Sequence, residues 1–359
     1  MTVDRLTLRR LQVPLSVPYK LAFGPVTAFD MILAEAVDAD GKTGWGEATI
    51  LTGYTDETIE GAWAAVCGKA PELIGQPADE GKRRAGALHA KTPFAGTALV
   101  TALEMLAGHA CLSPAVEQRM RLLAIVNGSE PEAYGPEIED RLSEGFGTLK
   151  VKAGFDVEAD LTRIADIQKR VAGRAIIRLD ANQGYDAAEG VRFVSGLDPV
   201  GIELVEQTCA AGDWDAAVTV SKAARRTGVP MMLDESIYGA DDIDRAADLN
   251  CADFIKLKLM KAGGLDDLVA GLMKIGERGM TAVLGNGVAG DIGCWMEVCA
   301  AAEVVKTAGE MNGFLKPTTQ LFDLPLRLQE GDLIIGPGGT VVPDRDAIET
   351  FTLEHKTFE

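Results

Sequence analysis

Thr148-Leu-Lys-Val-Lys152, Ala175-Ile-Ile-Arg-Leu-Asp180, Gly201-Ile-Glu-Leu-Val-Glu206, Met231-Met-Leu-Asp234 and Asp253-Phe-Ile-Lys-Leu-Lys258 are short apolar runs that each end on a charged residue. Val, Ile and Leu in runs of this length read as strands buried on both faces. Leu122-Leu-Ala-Ile-Val126 precedes them, Thr281-Ala-Val-Leu284 follows, and Val304-Val-Lys-Thr-Ala-Gly-Glu310 is a weaker eighth candidate. Successive runs start roughly 22 to 30 residues apart, the length of one strand plus one helix in a parallel sheet. Eight such units predict an α/β protein with a closed (β/α)8 barrel. A doubly wound open sheet is the competing architecture, but no Gly-x-Gly-x-x-Gly or phosphate-loop sequence follows an early strand.

Working outward, residues 1–48 alternate apolar and polar positions, with a turn signal at Val37-Asp-Ala-Asp-Gly-Lys42. That predicts antiparallel strands joined by a hairpin. From about 56 to 113 the chain is rich in Ala and Leu at helical spacing, as in Thr97-Ala-Leu-Val-Thr-Ala-Leu-Glu-Met-Leu106. After Gln320 it returns to turn-rich, strand-like sequence. The expected organisation is an α+β cap over 1–120, the barrel with its site over 121–319, and a C-terminal return over 320–359 packing on the cap.

The 359 residues are 47% hydrophobic and 25% charged, which describes a globular chain. A net charge of -19 excludes non-specific nucleic-acid binding, yet leaves room for a small anion where a metal and lysines reverse the local field. Six scattered cysteines (67, 111, 209, 251, 294 and 299) form no Cys-x-x-Cys pair and read as reduced thiols. The first residues lack an apolar leader, and no run of about 18 apolar residues occurs anywhere. A cytoplasmic protein without membrane segments is expected.

The charged ends of the strands carry the chemistry, because barrels place their active sites at that face. Asp180, Glu206 and Asp234 close consecutive runs and would converge as a hard, oxygen-rich site suited to Mg²⁺ or Mn²⁺. Any one of these acids alone would read as a helix cap or an ion-pair partner; three at matching positions read as a metal site. Lys150 and Lys152, two apart on one strand, share a face and point together into the mouth. A proton beside a carboxylate is too weakly acidic for a side chain unaided. A cation that stabilises the resulting enediolate makes an amine an adequate base. Positive charge from Lys150 and the metal is expected to lower the pKa of Lys152. The plainer reading of a strand lysine is a snorkelling side chain or an ion pair with a neighbouring acid.

Leu149-Lys-Val-Lys-Ala-Gly154, Asp180-Ala-Asn-Gln-Gly184, Glu206-Gln207, Asp234-Glu-Ser236 and Ile255-Lys-Leu-Lys-Leu-Met-Lys-Ala-Gly-Gly264, in this order and spacing, resemble the enolase superfamily and its muconate-lactonizing subgroup. The likeness runs through nearly the whole chain. It implies a modified TIM-type barrel with an α+β N-terminal cap, and Asp180, Glu206 and Asp234 as metal ligands. It further implies Lys152 as first base, Lys150 as its partner, and Lys258 as second base facing the substrate from the other side. His89, His109 and His355 fall outside these motifs and read as structural or exposed.

By the same resemblance, cap segments Tyr19-Lys-Leu-Ala-Phe-Gly24 and Thr49-Ile-Leu-Thr-Gly-Tyr54 close over the mouth, with Tyr19 and Tyr54 as substrate contacts. Asn286-Gly-Val-Ala-Gly-Asp291 positions the substrate carboxylate, although Asp291 reads equally as a helix N-cap. Three departures stand out. Thr208 replaces a common proline, Lys256 is an added lysine that fits either a deep ion pair or an alternative base, and Glu310-Met-Asn312 replaces the Asp-x-Asp with which dipeptide epimerases hold an ammonium group. Glu310 remains as an acid that an amine could meet. The implied reaction is racemisation or epimerisation of an amino acid derivative with a small carboxylate substrate. Cycloisomerisation and dehydration are the alternatives within the subgroup, and a non-catalytic carboxylate-binding barrel is the alternative outside it. A homo-oligomer is also implied.

Overall fold

A computed structural model of the chain describes residues 1–21, 24–53, 56–301, 304–339 and 341–359. Alternating residues at the N-terminus form β1 (Val3–Leu21), β2 (Gly24–Asp38) and β3 (Thr43–Thr49), paired antiparallel. The alanine-rich stretch folds into α1 (Ile59–Lys69), α2 (Ala78–Gly86) and α3 (Pro93–Ala107). Helix α3 is apolar around nearly its whole circumference and is buried along its length, as such a helix must be.

Strand β4 (Gln118–Arg121) leads into the barrel. There follow β5 (Ala124–Val126), α4 (Pro131–Ser143), β6 (Thr148–Lys152), α5 (Val157–Val171), β7 (Ile176–Asp180), α6 (Ala187–Gly196), β8 (Ile202–Glu206) and α7 (Trp214–Thr227). The series continues with β9 (Met231–Leu233), α8 (Ala240–Asp248), β10 (Phe254–Leu257), α9 (Leu259–Ala262), α10 (Leu265–Glu277), β11 (Thr281–Leu284) and α11 (Asp291–Ala301). Strands β5 to β11 form one parallel sheet in sequence order. The surrounding helices are amphipathic: α5 buries Val157, Ile164, Ile167 and Val171 and is capped by Asp156, whose side chain accepts from Ala159 N.

The predicted eighth strand is not a strand. Around Gly309 the chain makes a single parallel bridge to Leu122. Gly309 N donates to Arg121 O, Leu123 N to Gly309 O and Glu310 N to Leu284 O, at 2.7, 2.9 and 2.9 Å. Those bonds join β11 to the start of β5 and close the ring with one or two residues instead of a full strand.

After the barrel, β12 (Arg327–Gln329) and β13 (Asp332–Ile335) form a small sheet with β4. Helix α12 (Arg345–Phe351) leads to β14 (Thr352–Phe358), which pairs antiparallel with β1 and so returns the chain end to the N-terminal sheet. Among the described residues no helix is long and apolar enough to cross a membrane.

Strand period decides what faces the barrel interior. Leu204, Met232 and Val283, with Phe254 against them, make a separate apolar plug. One step of two residues further along these strands lie Glu206, Asp234 and Lys256. The same face therefore carries a greasy layer below and a charged layer at the C-terminal rim.

Candidate active site

Asp180, Glu206 and Asp234 are buried to 1%, 1% and 3% exposure. Burying a charge costs several kcal/mol unless it is paired, and here lysines from the same rim supply the counter-charge. Lys150 Nζ lies 2.8 Å from Asp180, 2.9 Å from Glu206 and 2.9 Å from Glu310. Lys256 Nζ lies 3.1 Å from Glu206 and 3.6 Å from Asp234, and also contacts Glu310. Each neighbouring pair of acids thus shares an ammonium. Of the two readings of Lys256, the structure presents the deep ion pair.

Lys152 Nζ donates to Asp180 Oδ2 at 2.7 Å and Asn182 Oδ1 at 2.5 Å. Lys258 Nζ donates to Asp234 Oδ2 at 2.7 Å. Lys152 ends β6 and Lys258 follows β10; counting the Gly309 segment as the eighth stave, the two lie half a turn of the barrel apart. Both line a cavity of about 580 Å³, as do Tyr19, Asn286, Glu310, Lys150, Asp180 and Asp234.

The structure bears on two expectations here. Asp291 does not line this cavity: it is the buried first residue of α11, and its Oδ2 accepts from Leu321 N at 2.6 Å. In the chain alone, without a cation, the ammonium of Lys152 is held above its ordinary range: burial works to lower it and Lys150 adds to that, but the charge and hydrogen bond of Asp180, with the charge of Glu310, together outweigh both. Tyr54 lies outside the described residues, while Tyr19 sits at the cavity with its phenol pushed up by burial.

The acids fit a divalent cation by their chemistry: three buried carboxylates, all oxygen donors, at one rim. Their electrostatics fit as well. Burial and the neighbouring Asp180 charge push Glu206 up to about 7, whereas lysines hold Asp180 and Asp234 low against their own burial. A cation beside Glu206 would favour its charged form, as the lysines favour the charged forms of Asp180 and Asp234. Among the described residues it is a different trio, Glu104, His109 and Asp266, whose ligand atoms lie within 4.8 Å of one another; at the rim the ammoniums of Lys150 and Lys256 sit between the acids. None of that trio lines the cavity, and they are already engaged. Glu104 accepts from Leu265 N and Asp266 N, at 2.7 and 3.1 Å, while Asp266 meets His109 and Lys82.

The loops after the strands hold this geometry. Gly154 (φ 90°) and Gly184 pack backbone to backbone: a Cβ on Gly184 would sit 2.0 Å from Gly154 O. Asp160 fixes the first loop, accepting from Gly154 N at 3.1 Å, Phe155 N at 3.0 Å and Tyr185 Oη at 2.6 Å. Gln207, at φ 37°, accepts from Asp234 N at 3.0 Å and donates to Ser236 Oγ at 2.9 Å, tying the loops after β8 and β9 together. Lys261 donates to Asp234 O at 2.9 Å and Oδ1 at 3.1 Å. Sequence reasoning assigned no role to Gln207, Lys261 or Asn182, although each lies inside a motif quoted for its neighbours.

The sequence matches the family described as Enolase C-terminal domain-like over residues 133–347. It is 31% identical to the L-Ala-D/L-Glu epimerase of Bacillus subtilis across 74% of this chain and 75% of that protein. It is 28% identical to muconate cycloisomerase 1 of Rhodococcus opacus across 95% and 96%. The crystal structure of the N-succinyl Arg/Lys racemase from Bacillus cereus superposes with a TM-score of 0.91 over 100% of both chains at 22% identity.

Proposed function

The chain belongs to the enolase superfamily and is one of its enzymes, and on that premise we propose that it inverts the carbon beside a substrate carboxylate, as a racemase or epimerase of an amino acid derivative. The observation that carries this reading is the placement of Lys152 and Lys258 half a turn apart around one acid-lined cavity.

Asp180, Glu206 and Asp234 are the residues that would hold a divalent cation, which, when bound, would supply electrostatic stabilisation to negative charge developing on the substrate carboxylate. Magnesium, with manganese as the alternative, and a homo-oligomeric state belong to the same proposal. Lys152, as the neutral amine, takes the proton: the C–H bond breaks, an N–H bond forms, and the electron pair stays on the substrate. Lys258, as the ammonium, returns a proton on the opposite face. Lys150 and Lys256 keep positive charge beside Glu310 and the ligand acids, Asn286 orients the carboxylate end, and Tyr19 covers the cavity.

The unequal settings of the two bases support a second reading. The side chain of Lys152 is 37% exposed and that of Lys258 5%. That asymmetry suits a one-base cycloisomerisation or dehydration, with Lys258 acting by charge alone.

Deuterium exchange in heavy water against dipeptides, N-acylamino acids, hydroxyprolines and lactones separates the readings. Wash-in with inversion is expected. Lys152→Ala and Lys258→Ala should each lower turnover by about 10²- to 10⁴-fold while metal titration stays near the wild-type curve. Retained turnover in both variants would overturn the two-base reading, and loss of water or ring closure would favour the second.

A further inference from the structure

Asn182 follows Asp180 by two residues on a backbone that turns left-handed, at φ 43°. Asparagine is one of the few non-glycine residues that adopt that conformation readily, its short polar side chain making local contacts. Its side chain makes two. Oδ1 accepts from Lys152 Nζ at 2.5 Å, and Nδ2 donates to Glu235 Oε1 at 3.2 Å. Chemistry settles the amide orientation: an ammonium only donates and a carboxylate only accepts, so a flipped amide would break both bonds. Glu235 Oε2 is buried without a hydrogen-bond partner among the described residues, and Asn182 and Glu235 both line the cavity.

Lys152 Nζ has three positions besides its bond to carbon. Asp180 Oδ2 at 2.7 Å and Asn182 Oδ1 at 2.5 Å take two of them. Tetrahedral geometry sends the third, whether N–H or lone pair, away from both oxygens, and the 37% exposure of the Lys152 side chain leaves it open to a ligand in the cavity that Lys152 lines. We propose that Asn182, held by Glu235, is a positioning residue that locks Lys152 with its proton-exchanging position aimed at the substrate α-carbon. This rests on the two-base reading, which assigns the proton transfer but leaves open what orients the amine. Lys258 is anchored on Asp234 instead, across the cavity, so the effect is confined to one face of the substrate.

The test follows initial deuterium wash-in by NMR for both enantiomers of the panel compound that the wild-type protein exchanges fastest. Lys152→Ala identifies the enantiomer served by Lys152. For that enantiomer Asn182→Ala lowers kcat by about 10- to 100-fold with KM within about twofold, since misplacing a reacting group acts on the chemical step. The opposite enantiomer keeps its wild-type wash-in. Glu235→Ala follows the same one-sided pattern, and Glu235→Gln, which retains an oxygen acceptor for Asn182, recovers most of the rate lost in Glu235→Ala. Equal slowing of both enantiomers, or slowing of neither, overturns the proposal. A wild-type protein that exchanges nothing in the panel removes the two-base reading and this proposal together, a result distinct from equal faces.

Discussion

Lys152 can act as a base only when it gives up a proton, and Asp180 at 2.7 Å opposes that in the chain alone. The opposition has a purpose if Asp180 is a cation ligand: the charge that holds the proton is the charge a cation would draw off. The residues beside these groups leave little slack. Gly184 faces Gly154 O across a gap with no room for a methyl group, and Gly154 itself is left-handed at φ 90°. Gly184→Ala must therefore push β6 and β7 apart at their rim ends. An overpacking cost of about 1–3 kcal/mol is expected, read as a lower urea midpoint, together with loss of activity. An unchanged midpoint would show that the loops yield more easily than their contact implies.

Helix α10 begins at Gly264, which offers no side-chain cap. Glu104 of α3 supplies one from more than 150 residues away, its carboxylate accepting from Leu265 N and Asp266 N. The acid also lies at the positive end of the helix dipole. Glu104→Ala leaves two helix-terminal N–H groups without their acceptor and should lower stability by about 1–3 kcal/mol, measured by chemical denaturation. Glu104→Gln keeps one acceptor and should lose less. Equal losses would mean that the carboxylate charge, rather than its hydrogen bonds, matters most.

The seat of the N-terminal sheet on the barrel makes the whole molecule sensitive to pH. Glu47 of β3 is buried against Gly290 and Gly293 at the start of α11. Burial and the nearby Asp291 push it up to about 8, and burial pushes Asp291 to about 7 and Glu297 to about 8. An unfolded glutamate titrates near 4.3, so between roughly pH 4.3 and 8 the folded form holds a proton that the unfolded form has lost. The stabilisation from that protonated state is full below about 4.3, falls as pH rises through about 8, and is flat beyond. Glu47→Gln should therefore flatten the decline in thermal midpoint from pH 6 to 8 and gain most at pH 8. A variant whose midpoint declines as steeply as wild type would show that Glu47 ionises freely at this seam.

How much of this was readable in advance depends on distance along the chain. The strand runs were legible because parallel strands buried on both faces must be apolar, and the acids and lysines at their ends stood out against that background. Period two then put Lys150 with Lys152 on a common face without any knowledge of the fold. The barrel's closure was legible only as a count of eight: at Gly309 backbone bonds from both neighbours suffice, and nothing in Val304–Glu310 announces that a strand is unnecessary. Asp291 was ambiguous because a helix-starting acid and a ligand-binding acid look alike until a third segment, at Leu321, arrives beside one of them. The sign of the Lys152 shift, the Lys256 pairing with Glu310, and the Asn182 link to Glu235 were decided by the tertiary structure alone. Residue order along one strand determines which way side chains point. Coulombic and hydrogen-bond energies, however, depend on separations of a few ångströms between segments that only folding brings together.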